Sequence, residues 1–298
     1  MSEYALSYID PDGMEYALND GVNTLLRQNG MRGFGVQRVS VATQRTPYTQ
    51  GVARLGGPYT PEREMQVALQ LMASSYSALT ALNDTLARNV SAYKDTETLG
   101  ALKVVTPDGR TRKIDCWMVE WPDPELDGPF SAVVAPVFWA QSPWFYDPTA
   151  LSETLALAGD GGITFPITFP ITFGSTTIDS YVYPENTGDV ETWPVIRVNG
   201  PGENIELTND TTGKTVALTA GGGVTLDVDD YVTIDMAAGT VTWYDATAGT
   251  TTSVIAKLST ASEFWPLVRG VNTVHGEMTA TTTGSIVFTY TLYYQSGR

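Results

Sequence analysis

The chain has 298 residues, 42% of them hydrophobic, with 17 basic against 33 acidic side chains and a net charge of −16. That balance repels nucleic acid and anionic membrane surfaces, and the low charged fraction excludes a disordered chain. One cysteine, Cys116, excludes an intrachain disulfide and a thiolate metal site. The length suits two domains, each with its own core. The start, Met1-Ser2-Glu3-Tyr4-Ala5-Leu6, lacks the basic and apolar segments of a signal peptide, and no stretch approaches a transmembrane length. Neither a membrane nor a nucleic acid is therefore an expected partner.

In chain order, Asp10-Pro11-Asp12-Gly13 marks a turn in a hairpin-like opening between Tyr4 and Val22. Val36 to Ala42 reads as a short strand, and the Gly-, Pro- and Thr-rich run from Thr46 to Pro61 as a long loop. Met65, Val67, Leu69 and Leu71 alternate with polar neighbours, which predicts a strand with one buried face. Ser74 and Ser75 are good N-caps, and Leu79, Leu82, Leu86 and Val90 recur at helical spacing, so one amphipathic helix is expected from Tyr76 to Val90. Ala101–Val105 and Arg112–Trp121 flank Thr106-Pro107-Asp108-Gly109 and read as a β-hairpin. Phe130 to Trp139 reads as one further strand, closed by the aromatic and proline cluster from Gln141 to Pro148. Residues 1–150 are thus expected to form an α+β domain.

The repeat Phe165-Pro166-Ile167-Thr168-Phe169-Pro170-Ile171-Thr172-Phe173-Gly174 removes two backbone donors and fixes two φ angles. We expect a proline-rich connector over 151–177, anchored by its aromatics rather than loose. Beyond it the helix signal disappears, and turn sequences such as Asn199-Gly200-Pro201-Gly202, Asn209 to Gly213, Ala238-Gly239 and Ala248-Gly249 recur about every ten residues, as in a sandwich. Trp193–Val198, Ile205–Thr208, Val216–Leu218, Val224–Val228, Tyr231–Met236, Val241–Tyr244 and Val254–Leu258 are the candidate strands, with a long last one from Ile286 to Tyr294. Residues 178–298 are expected to be a β-sandwich. Charge divides as −5 up to residue 150 and −11 beyond it.

The strand, helix and hairpin order of residues 64 to 121, the run Leu102 to Cys116, and the closure Ser142-Pro143-Trp144-Phe145-Tyr146-Asp147 resemble the N-terminal domain of the distal tail proteins of long-tailed, siphovirus-type bacteriophages. In the second half, Asn186-Thr187-Gly188-Asp189, the block Thr192 to Pro201, Asn209 to Gly213, Phe264-Trp265-Pro266-Leu267 and Gly270-Val271-Asn272 resemble that family's C-terminal module. The resemblance implies a mainly β chain: an N-terminal α+β ring-forming domain, then a galectin-like sandwich. It further implies a homo-oligomeric, hexameric ring at the tip of the virion's tail, assembled in the host cytoplasm. Its partners would be the tail tube protein, the tail-tip hub and receptor-binding proteins.

No constellation for catalysis, a cofactor or a metal is expected. His275 is the only histidine; it sits in Asn272-Thr273-Val274-His275-Gly276, which reads as strand end and turn, and a structural or exposed role is favoured over a triad. Asp227, Asp229 and Asp230 lack EF-hand spacing; Leu226 and Val228 alternate with them, and Asp229-Asp230 fits a hairpin turn. Gly221-Gly222-Gly223 lacks a following Lys-Ser or Lys-Thr and reads as a turn, not a phosphate cradle. Cys116 alternates with Ile114 and Met118 and reads as core. Trp243, Tyr244 and Trp265 are the candidates for carbohydrate contact, against a competing reading as core. A carbohydrate-binding protein that attaches to cell-wall glycans is the alternative function. A glycan-processing enzyme would need a tuned carboxylate pair that no spacing singles out.

Overall fold

The computed structural model describes residues 4–45, 53–91, 98–156, 177–279 and 283–298. The repeat Phe165 to Gly174 lies outside them. Two compact units divide the chain: Met1–Pro148 together with Tyr294–Arg298, and Thr149–Tyr293.

The first unit is one large antiparallel sheet with a helix. Its strand order is Glu15–Ala17, Ala5–Ile9, Gly100–Val105, Thr111–Glu120, Val137–Ala140, Arg63–Met72, Ser131–Val134 and Glu125–Leu126, with Thr24–Arg32 also paired on Arg63–Met72. The opening hairpin turns where expected: Gly13 takes φ +85°, and the Asp10 carboxylate accepts from the amides of Asp12 at 3.0 Å and Met14 at 2.8 Å. Gly109, at φ +87°, turns the second hairpin.

Arg63–Met72 organises the core. Its alternation buries Met65, Val67, Leu69 and Leu71 completely, against Leu102, Val104, Ile114, Cys116 and Phe138, and each such aliphatic side chain stabilises the fold by about 2 kcal/mol. The helix Tyr76–Val90 adds Leu79, Leu86 and Val90 to the same core, and its N-cap Ser75 accepts from the Ala78 amide at 3.2 Å.

Several readings of this unit change, beginning with the strand read over Val36 to Ala42, which runs Ser40–Gln44. The strand expected from Phe130 to Trp139 is two, Ser131–Val134 and Val137–Ala140, on one unbroken register against Arg63–Met72. Pro136 has no amide to continue the ladder there. The loop expected between Thr46 and Pro61 contains a strand, Ala53–Tyr59, paired with Ser40–Gln44 in a separate ribbon. Both edges of a two-stranded ribbon lack further partners, so Pro58 costs it little. Thr24–Arg32, unexpected from sequence, is a strand whose register shifts between Leu26 and Met31, with Asn29 at φ +60°.

The second unit is mainly β throughout. One sheet runs Leu151–Ala156, Ser285–Tyr290, Val195–Asn199, Tyr231–Asp235, Thr240–Asp245 and Thr250–Ser253; another runs Thr177–Val182, Val274–Thr279, Glu203–Asn209 and Lys214–Ala217. Alternation fills the space between them: Ile196, Val198, Val232, Ile234, Ile286 and Phe288 from the first sheet, Ile178, Ile205, Leu207, Val274 and Met278 from the second. The two faces meet closely at Gly276, where a Cβ would stand 2.5 Å from Leu155 Cδ1. The run expected as strand Val224–Val228 makes only a bridge from Leu226 to Gly202. Val254–Leu258 instead holds a 3-10 turn, Ile255–Lys257, after the strand Thr250–Ser253. The long final strand stops at Tyr290, and Tyr293–Tyr294 pair separately. His275, read as lying at a strand end and turn, sits within the strand Val274–Thr279.

Candidate functional site

The three aromatic candidates occupy different environments. Trp265 is fully buried, and among the described residues its Nε1 finds no hydrogen-bond partner. A ring without an exposed face offers nothing for a sugar to stack on. Trp243 and Tyr244 are consecutive residues of one strand and point to opposite faces. Trp243 pairs with the buried Val232 and donates its indole N–H to Asp230 at 3.2 Å, whereas Tyr244 stacks on Tyr231 at 4.8 Å. Arg197 lies 3.7 Å over the Tyr231 ring. The surface that Tyr244 shares is therefore made with Tyr231 and Arg197, and not with the two tryptophans.

The acidic and glycine-rich motifs are accounted for by local structure. Asp229 takes φ +69° in the turn, and Asp230 is buried, where its carboxylate accepts from the amides of Asp227 at 3.2 Å and Ala246 at 2.8 Å as well as from Trp243. Asp230 is thus the acceptor around which a turn folds. Gly221, Gly222 and Gly223 all adopt positive φ, and the Gly221 carbonyl accepts from Lys257 at 2.9 Å. Burial pushes the Cys116 thiol up to about 12, so it stays protonated at neutral pH and acts as core.

Sequence reasoning missed two arrangements. In the first unit, Arg63 is completely buried and donates to the carbonyls of Pro143 at 2.7 Å, Gly33, Gly35 at 2.8 Å and Gln295 at 2.8 Å, with its guanidinium 5.0 Å over the Phe145 ring. Burial lowers its pKa to about 10. One cation thereby ties the glycine loop, the aromatic closure and the last residues of the chain to the sheet. Arg112 repeats the device, donating to the Ser296 carbonyl and lying 3.8 Å over Tyr294.

The second lies on the outer face of the four-stranded sheet. The register sets Asp179 opposite Glu277 and Tyr181 opposite His275. His275 Nε2 is 2.7 Å from the Asp179 carboxylate and Nδ1 is 3.5 Å from that of Glu277. The Tyr181 ring stacks on the imidazole at 4.4 Å and 16°. Asp179 and His275 are far apart in sequence, and only the strand pairing brings them together.

Comparison with known proteins places this architecture. Residues 187–294 match the family described as the siphovirus-type tail component, C-terminal domain. The crystal structure of the Dit protein of phage SPP1, described as a paradigm of the hub adsorption apparatus in phages infecting Gram-positive bacteria, aligns over 96% of this chain and 98% of its own, with a TM-score of 0.62 and 18% identity. A chain of the phage P2 baseplate in its activated conformation with calcium aligns over 97% of this chain and 98% of its own at a TM-score of 0.45 and 11% identity. No curated protein matches the chain in sequence. Over residues 187–294 the chain is therefore similar to a tail component of siphovirus-type bacteriophages. More narrowly, the chain carries the C-terminal domain of siphovirus-type tail components and nearly end to end has the fold of SPP1 Dit, which bears out the resemblance to the distal tail proteins.

Proposed function

We propose that copies of this chain close into a ring, six to a ring, at the tip of a siphovirus-type tail, after assembly in the host cytoplasm. The ring joins the tail tube, through the N-terminal unit, to hub and receptor-binding proteins held by the C-terminal unit. The chain works by assembly and catalyses no reaction. Support for self-association comes from the ribbon Ser40–Gln44 with Ala53–Tyr59, which pairs with no other strand of the described residues. An isolated two-stranded ribbon is marginal in water, yet this one exposes Val41, Leu55 and Tyr59, and Val39 just before it. A second copy that covers these side chains supplies the burial the ribbon lacks.

Native mass measurement with negative-stain imaging tests the proposal. The expected result is a closed ring of six chains for the unaltered protein and a folded monomer for Val41→Glu with Leu55→Glu. Monomers at every concentration, with or without a tail-tube partner, would overturn it.

A further inference from the structure

The cluster on the outer face of the four-stranded sheet has a composition that the tail-component reading does not use. Asp179, His275 and Glu277 each offer one ligand atom, and the three atoms lie within 4.8 Å of one another. We propose that these residues form a binding site for a divalent transition-metal cation of the zinc class.

The chemistry of the donors selects that class. Calcium and magnesium take oxygen ligands, whereas an imidazole nitrogen beside carboxylate oxygens suits zinc, nickel or cobalt. Ligands about 2.1 Å from one tetrahedral ion stand about 3.4 Å apart. Asp179 already meets Nε2 while Glu277 lies beside Nδ1, so side-chain rotations of about 1–2 Å gather the three ligand atoms around one ring nitrogen, and three protein ligands leave the remaining coordination position to water.

The scaffold holds the ligands in place without the ion. His275 and Glu277 are two residues apart on one strand and share a face. Asp179 comes from the edge strand Thr177–Val182, directly opposite Glu277. Between the two ligands on the central strand, Gly276 is pressed against Leu155 and Ile286 of the facing sheet, which fixes the backbone from behind. The Tyr181 stack restrains the imidazole, whose residue is 17% exposed at the side chain, while the carboxylates of Asp179 and Glu277 stay open at 69% and 50%.

Charge points the same way. Asp179 and Glu277 face each other across the pair, and Glu206 faces Glu277 from the strand on its other side. Like charges directly opposite are destabilising, and a dication relieves that repulsion. A bound ion then clamps the edge strand to its neighbour and raises stability by mass action.

The experiment uses the untagged full-length chain, stripped by chelator and titrated with zinc. Because the protein has one histidine, imidazole nitrogen resonances report His275 alone. The expected result is one zinc per chain, a displaced His275 ring signal and a higher unfolding temperature. Asp179→Asn and His275→Gln should each weaken binding by at least about ten-fold, with the unfolding midpoint in chelator close to that of the parent; Glu206→Gln should weaken it only a few-fold. An unmoved ring signal at saturating zinc, or zinc uptake insensitive to both ligand substitutions, would show an ion pair only and overturn the site.

Discussion

The two units solve one problem with opposite chemistry. Each has irregular segments whose backbone carbonyls and amides are buried and must find partners. The first unit uses a cation: Arg63 spans four carbonyls from three separate parts of the chain. The second leaves the amides of one turn to the buried Asp230 carboxylate but meets its buried carbonyls with neutral side chains. Asn186, Thr192, Asn209 and Asn272 are fully buried. Asn186 donates to the carbonyls of Val190 and Leu267, Asn209 to that of Pro266, and Asn272 to those of Val268 and Gly270, while Thr192 reaches the Thr291 carbonyl. A guanidinium reaches many acceptors at the cost of burying a charge. An amide reaches fewer but returns an acceptor as well, and so suits a turn that needs both.

That contrast predicts where each unit is most fragile. Arg63→Met keeps bulk but leaves four carbonyls unpaired, and should destabilise the first unit by about 3–5 kcal/mol. Arg63→Lys should not restore it, because an ammonium lacks the planar fork. Urea denaturation read with hydrogen exchange separates the units; a loss below about 1 kcal/mol would mean that the buried charge contributes little more than its own volume.

In the second unit, Asn272 accepts from the Val268 amide at 2.9 Å and donates to the Val268 and Gly270 carbonyls at 2.8 and 3.1 Å. Asn272→Ala should cost about 2–3 kcal/mol, confined to that unit. If exchange in the first unit rises equally, the two units do not unfold independently and the comparison fails.

The sequence made regular elements legible and irregular ones opaque, for reasons visible in particular residues. Met65, Val67, Leu69 and Leu71 announced their strand because period two is uninterrupted. Thr24–Arg32 did not, because the register shift between Leu26 and Met31 destroys the alternation. Arg63 was within reach: it lies in phase with those four buried residues, so extending the period one step inward points the guanidinium at the core. The Asn272 and Asn209 motifs were recognised by resemblance, and their role as backbone partners emerges only when Val268 and Pro266 come beside them. At His275, Gly276 suggested a turn, whereas a glycine there is required by the approach of Leu155 from the other sheet. That demand lies outside any local window of sequence, as does the pairing with Asp179.

The smallest expected effect tests whether surface charge adds to the first unit beyond its buried cation. Glu15 accepts from Lys103 at 2.9 Å and from the Ser7 hydroxyl at 2.6 Å. These hydrogen bonds, that of Lys103 foremost, hold its carboxyl below the ordinary glutamate value of 4.5. A depressed folded pKa stabilises the fold above the unfolded pKa, and that contribution is lost as pH falls through the folded value. The carboxylate is largely solvated, so screening limits the pair to less than about 1 kcal/mol. Glu15→Gln should therefore lower stability slightly at pH 7 and leave it unchanged at about pH 2.5, where the parent carboxyl is itself protonated. Urea midpoints at the two pH values check this. A deficit that persists in acid would assign the effect to the Ser7 hydrogen bond and to packing on Lys103, and would leave Arg63 as the charge on which this unit depends.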